Sequence, residues 1–338
     1  MTRFLLRRAA TSALVLLGVM LATFLLARVV PASPAVAYIG PKAQPADIAR
    51  VERELGLDQP LHIQFWRYLS DMLTGDWGDS IGTKQPVLQE IGTRLPATLE
   101  LLIVAMVVAV AVGLVLGVIA ARRKGTKLDH LIRLLSIGGV SMPAFWLGLL
   151  LQVVFVRALG LLPPTGRLGP ETPFVSPITE LTGLYTVDAL LTGNMTAFGD
   201  AFLHILLPAA TLAAYPAGVV ARMTRATMIE TLSQDHVRTA RAYGLAERTV
   251  TWRIALRNAL PPVTTVFGLT LAYSLTGTFF VEVVFNWPGL GQFAAQALLN
   301  VDYPAIMGVT VLGAVGYVLV NLVVDLIQAR LDPRVGLA

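Results

Sequence analysis

The chain has 338 residues, of which 55% are hydrophobic and 14% are charged, and its formal net charge is +5. Soluble domains carry about 25% charged residues, so this composition indicates a membrane protein. The chain has no cysteine, which excludes disulfide frameworks, cysteine-based metal sites and thiol catalysis.

Six uncharged runs are long enough to cross a bilayer, for which about 20 apolar residues are needed. Backbone polar groups inside lipid must be satisfied within their own segment, so these runs are predicted to be helices. The predicted spans are residues 9–27, 101–121, 134–156, 201–221, 259–281 and 303–324. The expected fold is an all-α membrane protein with six transmembrane helices, forming one domain over residues 1–338.

Prolines inside two of these runs predict bends. Pro143 is expected to kink the third span, and Pro208 and Pro216 the fourth. The first span could also be a signal peptide, since Arg7 and Arg8 precede it and small residues lie after it at 31–33. It is longer than the usual apolar core of about 7 to 15 residues, which favours an uncleaved helix.

Lysine and arginine predict the orientation. If the N-terminus is cytoplasmic, 17 of the 26 basic residues fall on the cytoplasmic side. The positive-inside rule then places both termini in the cytoplasm. The positive charge is therefore attributed to membrane orientation, and nucleic acid is not an expected partner.

Two long segments are predicted outside, residues 28–96 and 157–200. The first contains two amphipathic helical pieces, residues 46–57 and 61–73, and the second is rich in proline, glycine and threonine. Loops of this length are usually functional or disordered. Docking of an external partner and simple capping of the helix bundle both remain open.

The long inside segment, residues 222–258, has helix-forming composition. We expect two short helices around Gly244, over residues 228–243 and 246–255. Ser233 or Asp235 is expected to cap the second half of the first helix, and Gly244 to end that helix with a positive φ. Loops that only join helices usually have about 2 to 8 residues, so this segment is predicted to dock against a partner.

Particular side chains of this segment suit such a contact. Thr239, Ala240 and Ala242 are small and would allow a partner surface to approach closely. Arg238 and Arg241 lie three residues apart on one helical face. They are placed to pair with carboxylates or carbonyls of a partner.

The fifth span carries a polar stripe. Thr270, Ser274, Thr278 and Glu282 repeat every four residues, with Gly277 beside them. Two interpretations remain open: the stripe lines a translocation path, or its small and hydroxyl residues pack helices together. Glu282 is near the outer end of the span, where its carboxylate could simply reach water.

Many ordered segments give the chain a family resemblance. They include RLPATLEL, SIGGVSMPAFWLGLLL, RMTRATMIETLSQDHVRTARAYGL, ALRNALPPV, EVVFNWPGLGQF and NLVVDLIQARLDPRV. Over nearly its whole length the chain resembles the B-type permease subunits of bacterial dipeptide and oligopeptide ABC importers. The resemblance implies the type I ABC importer permease fold and a place in the bacterial inner membrane, surrounded by lipid.

The same resemblance implies partners. They are a second homologous permease, an extracytoplasmic peptide-binding protein, and two cytoplasmic ATPase subunits that bind ATP and Mg. No cofactor is expected on this chain itself. Residues 222–258 become the coupling loop, with a docking set of Asp235, Arg238, Thr239, Ala240, Arg241, Ala242 and Gly244. The family's Glu-Ala-Ala pattern is replaced here by Arg238-Thr239-Ala240, so no role is carried over for that glutamate.

Other classes of function lack support in the sequence. No nucleophile or metal-protease motif occurs, and no Gly-x-x-x-x-Gly-Lys-Ser/Thr phosphate loop, so any ATPase must be another chain. Inverted repeats, expected of many secondary transporters, are not evident. Nickel and glutathione importers belong to the same wider family, and peptide is the favoured substrate among these.

Overall fold

The computed structural model describes residues 2–29, 36, 44–54 and 56–331. Within them the secondary structure is helical, apart from an isolated antiparallel bridge between Asp79 and Pro86. The all-α prediction is therefore confirmed. The helices are α1 (Thr2–Val29), α2 (Pro45–Glu54), α3 (Leu61–Thr74), α4 (Val87–Arg122), α5 (Lys127–Ser141), α6 (Ala144–Leu151), α7 (Thr172–Val175), α8 (Tyr185–Leu191), α9 (Met195–Leu232), α10 (Asp235–Ala242), α11 (Glu247–Thr249), α12 (Leu256–Val284), α13 (Leu290–Leu299) and α14 (Tyr303–Leu331).

Helices of membrane-spanning length occur where the uncharged runs predicted them. In the described ranges, five continuous helical stretches are long and apolar enough to cross a bilayer. They are Arg7–Arg28, Val87–Arg122, Met195–Leu232, Glu247–Val284 and Tyr303–Val324. The small-residue site at 31–33 lies outside the described residues.

The third predicted span is not one helix. Helix α6 continues into a π-helical segment, so the helical stretch runs over Ala144–Ala158. This stretch meets α5 at an angle of 115°. The bend predicted at Pro143 is therefore present, and it is large enough to divide residues 134–156 between two helices. Pro143 lacks an N–H and disfavours helical geometry at the preceding residue, and Met142 is accordingly extended, with φ −82° and ψ 132°. By contrast, α9 continues through both Pro208 and Pro216.

The chain divides into two compact units, Met1–Pro96 with Gly289–Leu319, and Ala97–Pro288 with Val320–Ala338. In the first unit, the Phe24 ring packs against Phe65 and Tyr68. Asp302 fastens the turn after α3 to the start of α14 in this unit. Its carboxylate accepts hydrogen bonds from Ser80 Oγ at 2.5 Å and from the Ala305 backbone N–H at 3.2 Å.

The second unit is built around α9. Its largest apolar cluster joins side chains of α4, α9 and the end of α12, among them Leu101, Ile205 and Phe285. Close contact between α4 and α9 depends on glycine, because a Cβ at Gly117 would lie 2.5 Å from the Cβ of Thr224. Small residues of this kind let membrane helices approach closely.

Candidate functional site

The predicted coupling segment contains a separate short helix. Helix α9 runs on to Leu232, the chain breaks at Ser233 and Gln234, and α10 begins at Asp235. The prediction of one helix over 228–243 is therefore wrong. So is the cap, since Gln234 occupies the N-cap position without a side-chain hydrogen bond, and the Ser233 hydroxyl donates to the Glu230 carbonyl.

The second predicted helix also differs. The chain becomes helical at Glu247, passes through a π-helical turn at Val250–Ala255 and continues into α12. Residues 246–255 therefore begin a membrane-length helix and do not form a short one. Helix α10 is thus a distinct element between two long helices.

One face of α10 is seated on the rest of the second unit. Val237 is fully buried and Ala240 is 7% exposed, and both belong to an apolar cluster with Val118 of α4, Met228 of α9 and Val250. Ala240 therefore packs inside the chain and holds α10 in place. Its burial leaves little of it for the partner contact that was expected. The cluster ties α10 to α4, α9 and the start of α12.

The opposite face of α10 is exposed and charged. Asp235, Arg238, Thr239, Arg241 and Ala242 are all exposed. Both arginines already have acidic neighbours in this chain: Arg238 lies 3.3 Å from Asp235, and Arg241 lies 2.7 Å from Glu247. Exposed ion pairs contribute only about 0 to 1 kcal/mol, so these arginines can exchange their internal partner for an external one at little cost.

The end of α10 has the predicted geometry. Gly244 adopts φ +77°, and its N–H donates to the Arg241 carbonyl at 2.9 Å, which confirms the expected left-handed turn. Tyr243, which the sequence reasoning passed over, is 82% exposed. The sequence signal for Tyr243 was its place directly before Gly244, where a predicted turn would expose an aromatic side chain to a partner.

The polar stripe of α12 faces inward. Thr270, Ser274 and Thr278 are buried, and each hydroxyl donates to a carbonyl of its own helix, Phe267, Thr270 and Leu275 respectively. This arrangement favours helix packing for these residues.

Two stripe residues nevertheless lie at an opening. Ser274 and Gly277 also border an open cavity of about 440 Å³. That Ser274 and Gly277 line a translocation path therefore remains a proposal.

Glu282 does not reach water in this chain. It is 0% exposed, and its carboxylate accepts a hydrogen bond from Thr98 Oγ1 of α4 at 2.6 Å. The expectation that the outer end of the span exposes this carboxylate is therefore wrong. Neighbouring helices enclose that end, and a buried carboxylate needs such hydrogen bonds.

The segment 157–200 is fastened to α4 by a second buried carboxylate. Glu100 accepts hydrogen bonds from Arg167 Nη2 at 2.5 Å and from the Thr186 N–H and hydroxyl at 2.7 Å. The Arg167 guanidinium lies 3.5 Å from the centre of the Tyr185 ring. These contacts favour the capping alternative for this segment, and docking of an external partner there stays a prediction.

Asp188 organises the same segment. Its buried carboxylate accepts hydrogen bonds from the backbone of Leu181, Thr182 and Gly183 and from the Thr182 hydroxyl. Burial alone would raise the pKa of Asp188, but these hydrogen bonds hold that pKa below its ordinary value.

Several apolar helices of membrane length, a broken span and an exposed short helix define a multi-pass integral membrane protein. Residues 113–337 match the family described as "Binding-protein-dependent transport system inner membrane component". Residues 1–102 match the companion description of its N-terminal region. The chain belongs to this family, and is a transport permease of the inner membrane.

Curated relatives match over almost the full length. The probable D,D-dipeptide transport system permease protein DdpB of Escherichia coli is 46% identical, covering 96% of this chain and 94% of that protein. The dipeptide transport system permease protein DppB of Alkalihalophilus pseudofirmus is 38% identical, covering 99% of both. The glutathione transport system permease protein GsiC of Salmonella paratyphi A is likewise 38% identical, covering 99% of both.

Proposed function

We propose that this chain is the transmembrane permease subunit of an ABC importer and forms the translocation path for di- and oligopeptides. The three relatives are named for D,D-dipeptides, dipeptides and glutathione. Glutathione is itself a small peptide, so these names share one chemical class. The full-length coverage supports extending that class to this chain.

The importer requires other subunits. An extracytoplasmic binding protein delivers the peptide to the outer segments, and two cytoplasmic ATPase subunits bind ATP and Mg. A second, homologous permease completes the path, most simply as a heterodimer. Both termini of this chain lie in the cytoplasm, an orientation supported by the excess of arginine and lysine on that side.

Helix α10 is the coupling element in this proposal. The observation that supports it is the two-sided character of α10, with Val237 and Ala240 buried inside the chain and Arg238 and Arg241 exposed. An ATPase surface that binds the exposed face can therefore displace the whole helix, including its buried face.

Motion of α10 would be passed on through its apolar seat. Because Val118, Met228 and Val250 contact the same cluster, a shift of α10 acts on α4, α9 and α12 together. Packed interiors resist compression and transmit such displacements. ATP-driven closure of the ATPases would in this way reach the membrane helices.

Thiol crosslinking tests the proposal directly, because the chain has no cysteine of its own. Thr239→Cys and Ala242→Cys place thiols on the exposed face of α10. Each is expected to crosslink to cysteines introduced around the permease-facing groove of the ATPase, and the yield should change between ATP-bound and ADP-bound states.

Two matched variants serve as controls. Ala240→Cys lies on the buried face of the same helix, and Phe174→Cys lies in the outer segment, where the side chain is exposed. Neither should crosslink to the ATPase. Equal crosslinking from Phe174→Cys, or none from either α10 position in any nucleotide state, would rule out this docking surface.

A further inference from the structure

The break between α5 and α6 opens onto the cavity that Ser274 and Gly277 border. The cavity has a volume of about 440 Å³ and is also lined by Phe145, Tyr215, Tyr273 and Phe280. Its walls come from α5, α6, α9 and α12, all in the second unit. Sites for small molecules usually measure about 300 to 1,000 Å³, so the volume suits a small ligand.

The backbone at the break supplies polar groups inside the predicted third span, which would place them within the membrane. Met142 and Pro143 are both extended, with ψ of 132° and 135°. Since Pro143 has no N–H, the Gly139 carbonyl lacks its usual helical donor. Non-helical backbone at this depth is tolerated where it is enclosed by protein or lines a water-filled cavity. Gly139, Met142 and Pro143 all line this cavity, and their backbone polar groups therefore favour water inside it.

The side chains of the cavity are neutral, and four of them are aromatic. The rings of Tyr215 and Tyr273 lie 5.3 Å apart, and those of Phe145 and Phe280 lie 6.3 Å apart. Hydroxyl groups come from the tyrosines and from smaller residues such as Thr276. The lining residues include no aspartate, glutamate, lysine, arginine or histidine. Such walls suit apolar side chains and neutral amide groups, and offer no ion pair to a charged terminus.

We propose that this cavity is a transit site at which the chain contacts the transported peptide, holding an apolar side chain and neighbouring backbone amides. This inference rests on the proposed function and locates the substrate within it. A path must bind its cargo well enough to admit it and weakly enough to release it. Aromatic walls without ion pairs meet that requirement, because they recognise side-chain and backbone groups common to many peptides.

Thiol accessibility tests the site in the assembled transporter, with binding protein and ATPases present. Tyr273→Cys and Phe145→Cys place single thiols in the cavity wall, and the side chains they replace are 65% and 45% exposed, so both variants should fold. A charged, water-soluble methanethiosulfonate reagent is expected to modify both thiols in at least one nucleotide state. An apolar dipeptide such as Leu-Leu, supplied with binding protein, should slow the modification severalfold.

Trp146→Cys is the matched control. Trp146 lies on the same helix as Phe145 and is also 45% exposed, but it does not line the cavity. Its thiol should show no protection by dipeptide. Protection at all three positions would indicate a general conformational change and would overturn the site.

Two further outcomes would also overturn it. If neither cavity thiol reacts in any nucleotide state, lipid or the second permease fills the cavity. If both react and dipeptide has no effect, the cavity holds water without contacting the cargo. A measurement on the unsubstituted complex distinguishes these outcomes from failure of the proposed function. If binding protein with peptide stimulates its ATP hydrolysis, the proposed function is supported even when the cavity does not contact the peptide.

Discussion

Arg225 of α9 holds the carboxylate of Asp129 in α5 at two points. Its Nε and Nη2 atoms donate to the two carboxylate oxygens at 2.7 and 2.8 Å. Asp129 is 1% exposed and also accepts a hydrogen bond from the Gly125 N–H at 2.9 Å. The pair fixes the first half of the broken span to the long helix that leads to α10.

Removing the charge of Asp129 should destabilise the permease strongly. Asp129→Asn leaves the guanidinium of Arg225 without its buried carboxylate, and breaking one side of a buried ion pair costs about 3 to 5 kcal/mol. Thermal unfolding of the purified complex in detergent should show a clear fall in Tm. Arg133→Gln is the control, since Arg133 lies 3.7 Å from the same carboxylate and is 43% exposed. Equal shifts for the two variants would contradict this role for the pair.

Gly117 should not accept even one added carbon. In Gly117→Ala the new Cβ would meet the Cβ of Thr224 at 2.5 Å and the Ala221 carbonyl at 2.7 Å. Overpacking of this kind costs about 1 to 3 kcal/mol. Gly92→Ala, in the same helix with no atom within 4 Å, should be close to neutral. The Tm values of both variants test this, and an unchanged Tm for Gly117→Ala would mean that α4 and α9 do not cross so closely.

Gly244 should be sensitive to backbone geometry and insensitive to volume. No atom lies within 4 Å of a Cβ built there, while φ is +77°. Gly244→Val therefore introduces strain of about 1 to 3 kcal/mol, and Gly244→Asn should introduce much less because asparagine tolerates left-handed geometry. Peptide-stimulated ATP hydrolysis should fall in the valine variant and be largely kept in the asparagine variant. Equal loss in both would show that space at the ATPase surface, and not φ, is the constraint.

Asp188 should hold the outer segment in place through its charge. In Asp188→Asn, one carboxylate oxygen is replaced by an N–H donor, so N–H groups of residues 181–183 lose their acceptor at a cost of about 1 to 3 kcal/mol. Limited proteolysis of this segment should accelerate. Glu171→Gln, an exposed position in the same segment, should cleave at the unsubstituted rate.

The pH dependence of this segment depends on the same carboxylate. Because the pKa of Asp188 is lowered in the folded protein, its contribution is complete above the unfolded-state pKa. The contribution is lost as the pH falls through the folded-state pKa. Cleavage should therefore accelerate at acidic pH in the unsubstituted protein and less so in Asp188→Asn.

The sequence predicted the features that depend on local chemistry. Uncharged runs predicted helices of membrane length, since a bilayer imposes that length. Gly244 predicted a left-handed turn, because glycine accepts positive φ without strain. The charged character of α10 was also predictable from residue types alone.

Features that depend on long-range contacts were left open, missed or wrong. The stripe of α12 and Glu282 became buried because α9 and α4 pack over them, which periodicity within α12 cannot reveal. Arg241 pairs with Glu247 only because the chain turns between them. Pro143 did signal a bend in the third span, but the size of the break, and the cavity beside it, depend on how α6 packs against neighbouring helices.

Transport by the reconstituted complex tests the central claim most directly. This chain, its second permease and the ATPases would be placed in liposomes with the external binding protein, and uptake of a labelled dipeptide would be measured. We expect accumulation against a gradient that requires both ATP and the binding protein and is abolished by an ATPase variant unable to hydrolyse ATP. Dipeptide entry that proceeds equally without ATP, or ATP-driven uptake of another cargo with none of any peptide, would contradict the account.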